Sequence, residues 1–397
     1  MYILTTSLFL ASVLFSFFRG FAYNQIFHTG ILYLCISSFL SIFIFVLQFY
    51  SSPLSIKRDF YAYYLACFFC LIIFCISYSY YSLPFNEASY CYLYAFIIMP
   101  ILLSLDIKFE RKLVFFYLVL VCFFLFSSLY QFISLDFYSL LRYRGINASV
   151  NQFAANQIPI LSLSLELLLL YKSKFSRFFI LLFFIISLVC LLISGSRGAL
   201  LLFILYLCIR FFKPSSILKL SFNKSIFTVI FSFLLSLSFI FISLWDQFIY
   251  PRFIDPLFSA SSDLSVSHLT RIEYFSIFFD QFLSSLPVFF IGNSPGVFTD
   301  YTGDYPHNFF LEYYSDLGIF FSIVFSAIFI IPLYRSALWL RMHNFNDPLF
   351  VIIFSSSFSY FLSTLYTAQA SLTIQMPVMI VFLIKYNDFV RRRNSMI

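Results

Sequence analysis

The chain has 397 residues, of which 62% are hydrophobic, 23% aromatic and 10% charged, with a formal net charge of +7; its mean hydropathy is +0.94. These proportions exclude a disordered chain, a disulfide scaffold and a cytosolic enzyme, and no nucleic-acid partner is expected. A membrane-spanning helix takes about 20 apolar residues, so about twelve spans would use about 240 positions and leave about 150 for connections.

In chain order, apolar runs predict spans near 4–18, 30–50, 60–82, 90–105, 113–135, 157–171, 178–194, 199–212, 225–245, 315–334, 348–366 and 371–385. The fold expected is an all-α integral membrane protein, a single polytopic domain over 1–397 embedded in the lipid bilayer. Ahead of the first run there is neither a basic region nor a small-residue cleavage site, so the first span is expected to stay in place. All eight cysteines lie inside apolar runs and read as packing residues. Cys67-Phe-Phe-Cys70 has zinc-like spacing but neither a second pair nor a nearby histidine, and no metal site is expected.

Alternating the sides of this map puts 18 of the 24 basic residues on one face, from Lys57 and Arg58 through Arg391, Arg392 and Arg393. The positive-inside rule makes that face cytoplasmic, with both termini on it. The remaining six are all arginine: Arg19, Arg142, Arg144, Arg197, Arg252 and Arg271. A guanidinium is a planar fork that grips phosphate oxygens in pairs, so this set points to a phosphate-bearing ligand outside; topological filtering plus chance is the alternative.

Two outward segments are polar enough to hold a site, residues 136–157 and 246–314. The first offers Arg142, Arg144, Asn151 and further amides, groups that donate to and accept from sugar hydroxyls; an ordinary solvated loop is the alternative. In the second, Leu264, Ile272, Phe275, Phe278, Phe279 and Phe282 recur at helical spacing, which predicts an amphipathic helix in the interface. Ile291-Gly-Asn-Ser-Pro-Gly296 reads as a turn, and Pro306-His307-Asn308 opens the tenth span. Ser194-Gly-Ser-Arg-Gly198 joins two spans without a real loop, leaving helix N–H groups beside Arg197 as an anion pocket; a plain helical hairpin is the alternative. Glu166 sits among leucines and must be protonated, paired or turned toward a polar cavity.

At these residues the chain resembles the O-antigen ligase and O-antigen polymerase family of bacterial inner-membrane glycosyltransferases. The resemblance rests on Ser196-Arg197-Gly198, on Gly292 and Pro295-Gly296, and on His307-Asn308-x-x-Leu311 with Gly318 after it; Arg144-Gly145 and Asn151-x-x-Ala154 add a further element. Val150 stands where a proline often precedes that asparagine, and Phe321 where a second glycine is often found. The resemblance implies an enzyme using glycans carried on undecaprenyl pyrophosphate, with its active site facing the periplasm. Arg197 and Arg271 match arginines that hold the pyrophosphate, and His307 matches a histidine acting near the acceptor hydroxyl. Arg142, Arg144, Asn151, Gly198 and Asn308 are candidate substrate-binding positions.

The chemistry is compatible: a departing diphosphate needs a metal ion or fixed cations, and no Asp-x-Asp pair occurs on the outer side. Arginine stabilisation with no cofactor is therefore expected. His307 can take the hydroxyl proton, with Glu312 as a rival base or an orienting group. The acceptor decides between a polymerase, which extends a lipid-linked glycan, and a ligase, which delivers it to the lipid A core. The bias toward Phe (62) and Tyr (29) implies an A+T-rich coding region, as polymerase loci often have, and favours the polymerase. A chain-length regulator is a conceivable partner. A transporter of the same lipid-linked sugar is the lesser alternative, since no half-to-half repeat is evident.

Overall fold

The computed structural model describes residues 30–51, 60–81, 87–105, 150–170, 173–211, 273, 276–280, 285–298, 309–343, 347–366 and 375–395. Among these residues every regular element is helical. In chain order they are α1 (Gly30–Ser51), α2 (Tyr61–Tyr81), α3 (Glu87–Ser104), α4 (Val150–Leu170), α5 (Lys174–Ile193), α6 (Arg197–Phe211), α7 (Leu286–Ile291), α8 (Phe309–Met342), α9 (Pro348–Tyr366) and α10 (Gln375–Ser395). Tyr61–Tyr81, Ser176–Ile193 and Phe310–Met342 are long and apolar enough to cross a membrane, and five further apolar stretches are shorter. The runs at 4–18, 113–135 and 225–245 lie outside the described residues. The total of about twelve spans and the sidedness of the termini accordingly remain expectations from sequence.

The chain divides into two compact units, one of residues 1–118, 271–357 and 367–397, the other of residues 119–270 and 358–366. In the first, α3 packs on α1, α2 and α10, α8 packs on α2 and α10, and α7 sits on α8 and α2. Its core is aromatic. Tyr92, Phe96, Tyr313, Phe321 and Phe325 meet edge to face or stacked, with Tyr313 and Phe325 centroids 4.9 Å apart and Phe96 and Phe321 centroids 5.5 Å apart. Such pairs add about 0.5–1.5 kcal/mol beyond the area they bury. Phe321 is completely buried among these rings.

In the second unit α4 packs on α5 and α6. Here the carboxylate of Glu166 is paired. Arg210 donates to it through both Nε, at 2.6 Å to Oε1, and Nη2, at 3.1 Å to Oε2, and the Tyr206 hydroxyl adds a 2.8 Å bond to Oε1. Glu166 is 1% exposed, so this fork meets the requirement that a charge among leucines have a partner. Arg210, read from sequence as a cytoplasmic loop cation, is thus also the counter-ion of a buried acid. Ser162 donates to Ser359 at 2.9 Å on the same helix face, one turn away.

Candidate functional site

The site in the first unit is organised around a break in α8. Helical backbone stops at Gly318, whose φ of 81° and ψ of −179° lie in a region open in practice to glycine alone. The chain then reverses. In a straight helix, residues 12 apart would be about 18 Å apart. Tyr313 and Phe325 instead have ring centroids 4.9 Å apart, and Ser322 Oγ donates to the Phe310 carbonyl at 3.4 Å. Residues 309–317 therefore form a short segment folded back against 319–342, and the latter, at 1.5 Å per residue, is about 36 Å long. The span expected over 315–334 does not include this reversal, although Gly318 is singled out in the sequence.

A break frees carbonyls that a continuous helix would satisfy, and apolar surroundings make each orphan costly. The turn predicted at 291–296 satisfies them. Asn293 N–H donates to the Ser315 carbonyl at 2.7 Å and Ser294 N–H to the Asp316 carbonyl at 2.9 Å. The two strands of this junction lie so close that a methyl on Gly292 would strike the Asp316 carbonyl and Leu317 nitrogen, and one on Gly318 would strike the Phe290 carbonyl. Gly292, Pro295-Gly296 and Gly318, recognised in the sequence as separate pieces, are one interlocked structure. α7 leads into it: Ser285 caps its start by accepting from Val288 N–H at 3.4 Å, and Gly292 closes it with a φ of 72°.

Asp316 joins the pieces. Its Oδ1 accepts the Gly296 N–H at 3.1 Å and its Oδ2 accepts the Tyr92 hydroxyl at 2.9 Å, while the side chain is only 2% exposed. Sequence reasoning missed this residue; the available signal was an acid four positions after Glu312, one helical turn along the same face. Glu312 is buried at 7% exposure. Phe278, from the expected amphipathic stretch, packs on Tyr314 with centroids 5.0 Å apart, whereas Phe279 is exposed. Part of that stripe therefore faces protein.

In the second unit, the tight joint between α5 and α6 is as short as expected. Gly195 takes a φ of 65°, its N–H donates to the Leu192 carbonyl at 2.9 Å, and Ser196 N–H donates to Ser194 Oγ at 3.2 Å. The Ser196 carbonyl accepts from Leu200 N–H at 3.2 Å, so Arg197 and Gly198 form the first turn of α6, whose N–H groups no preceding helical carbonyl can reach. Asn151 lies in the first turn of α4, which begins at Val150, so residues 150–157 are helix where a loop was expected. Gln157 is fully buried and donates to the Phe153 carbonyl at 3.3 Å. Arg142, Arg144, Arg271, His307 and Asn308 lie outside the described residues, as does Pro306, so the helix start expected there is not described.

Residues 182–326 match the family model described as O-Antigen ligase. The chain carries an O-antigen ligase family domain. Among curated proteins, no match is found. Within the O-antigen ligase domain fall Arg197, Gly198, Arg271, the interlocked glycines, His307, Asn308, Glu312 and Asp316, while Arg142, Arg144 and Asn151 precede it. The domain supports a ligase- or polymerase-type function carried by a membrane glycosyltransferase-like enzyme.

Proposed function

We propose that the protein is an O-antigen polymerase, joining oligosaccharide repeat units carried on undecaprenyl pyrophosphate at the periplasmic face of the inner membrane. The ligase- or polymerase-type reading is supported by the family match over 182–326, which contains Arg197, Arg271 and the His307-to-Gly318 stretch, and the choice of polymerase rests on the bias toward Phe (62) and Tyr (29). In the reaction, the acceptor hydroxyl oxygen attacks the anomeric carbon of the donor and the bond from that carbon to the diphosphate oxygen breaks. Arg197 and Arg271 hold the pyrophosphate and offset the charge that grows on it, an effect that preorganised cations in a water-poor site make large. His307, or in its place Glu312, takes the hydroxyl proton. Arg142, Arg144, Asn151, Gly198 and Asn308 bind the glycan and its phosphates. No metal is assigned a role.

The description of the matched family favours a second reading, an O-antigen ligase that transfers the glycan to the lipid A core. The surface polysaccharide of a deletion strain, resolved by length, separates the two. One repeat unit on the core is the expected result and marks a missing polymerase. Bare core with full-length glycan left on the lipid carrier marks a missing ligase. Neither pattern overturns both and returns the transporter reading.

A further inference from the structure

We propose that Asp316 is a positioning residue of the transfer site, fixing the 292–296 turn against the segment that bears Glu312 and follows His307; this rests on the glycosyltransferase reading above. Asp316 ties three stretches of chain together: Oδ1 holds Gly296, Oδ2 holds Tyr92 of α3, and its own carbonyl holds Ser294. The segment it anchors includes Phe309 to Leu317 and is cut off from the rest of α8 by the reversal at Gly318. It cannot take its orientation from a continuous helix, so the orientation comes from what grips its end. The aromatic packing of Tyr313 holds one side, and the Asp316 carboxylate with the two backbone bonds holds the other.

A carboxylate suits this task because it offers acceptors only, one oxygen to an amide N–H and the other to a phenol, with no donor that must itself be satisfied. Burying it in apolar surroundings is expensive, and a purely structural link between a turn and a helix is within reach of uncharged side chains. The bonds the Asp316 carboxylate makes are to Gly296 and Tyr92, so its proposed effect on the reaction is through the placement of the segment that carries Glu312. Displacement of a reacting group by about 1 Å costs on the order of 100-fold in rate.

The test is transfer by the purified full-length protein in lipid vesicles, using a short glycan on a polyprenyl diphosphate as donor, with kcat and donor KM measured separately. Asp316→Ala is expected to lower kcat by about 100-fold with KM within about twofold of wild type. Asp316→Asn keeps an acceptor for Gly296 and a polar partner for Tyr92, and is expected to recover at least about tenfold of that loss. Tyr92→Phe removes one hydrogen bond and is expected to lower kcat about fivefold. Wild-type kcat in Asp316→Ala, or a loss carried by KM, overturns the positioning role. If Asp316→Ala does not fold, Tyr92→Phe and Asp316→Asn decide: lowered kcat at unchanged KM in Tyr92→Phe supports the role, and wild-type values in both overturn it. No transfer by the wild-type protein defeats the glycosyltransferase reading itself, a result distinct from active wild type with indifferent variants.

Discussion

Gly318→Ala is the sharpest test of the interlocked junction. At φ 81° and ψ −179° an alanine costs about 1–3 kcal/mol in backbone strain alone. Its methyl would also strike the Phe290 carbonyl, a backbone group that cannot rotate aside as a side chain would. The turn must then move, giving up the bonds from Asn293 to Ser315 and from Ser294 to Asp316. At about 1 kcal/mol net for each, the whole effect is about 3–5 kcal/mol. Hydrogen exchange of the solubilised protein reads it directly: protection at the amides of Asn293 and Ser294 should fall by about 100- to 4,000-fold, since each 1.4 kcal/mol is tenfold. Unchanged exchange at both amides, together with unchanged transfer, would refute the assignment of Gly318 as the reversal point.

Glu166→Ala strips a buried arginine of its partner, a change that costs about 3–5 kcal/mol in a closed interior. The Arg210 side chain is 17% exposed and can partly rehydrate, which places the loss near the lower figure; thermal unfolding in detergent measures it. Glu166→Ala combined with Arg210→Met should recover more than half of the loss, because no charge is left stranded. Arg197→Lys keeps the charge but loses the fork, so it should abolish most transfer while membrane insertion is unchanged; near-normal glycan chains would count against the phosphate clamp. His307→Ala should slow turnover with donor binding largely intact, and loss of donor binding alone would reassign the residue. Transfer should persist in a strong chelator, and its disappearance there would overturn the metal-independent mechanism.

Much of the helical framework was legible because apolar runs end where charge or proline begins. α1, α2, α3 and α9 start and stop within a few residues of the expected spans, and the uncharged, mostly apolar interiors of Gly30–Ser51 and Tyr61–Tyr81 leave little choice. α4 was read as starting at 157 because Asn151, Gln152, Asn156 and Gln157 look like loop. Phe153, Ala154, Gln157 and Ile158 nevertheless recur at helical spacing and are buried, so packing outweighs polarity there. α10 was ended at 385, yet it continues to Ser395 past Lys385, which is buried with its ammonium donating to the Leu105 carbonyl.

The site was legible as a set of pieces and not as an assembly. The glycines at 292, 296 and 318 were visible, but their mutual contact depends on a reversal at Gly318, near the start of a span expected over 315–334, and hydropathy has no term for direction. Asp316 escaped notice because an acid one residue inside the expected start of a span reads as a surface group. The partner of Glu166 was hidden for a related reason: Arg210 is 44 residues away in sequence and fitted the pattern of cytoplasmic basic residues equally well.

The most direct test of the central claim is to follow the carrier lipid. Purified protein in vesicles, given a polyprenyl-diphosphate-linked repeat unit on the outer side, should release free polyprenyl diphosphate in step with each glycosidic bond formed, and Arg197→Lys should slow both together. Glycan extension without release of the diphosphate, or release that is indifferent to Arg197, would contradict an arginine-stabilised departure from the lipid carrier.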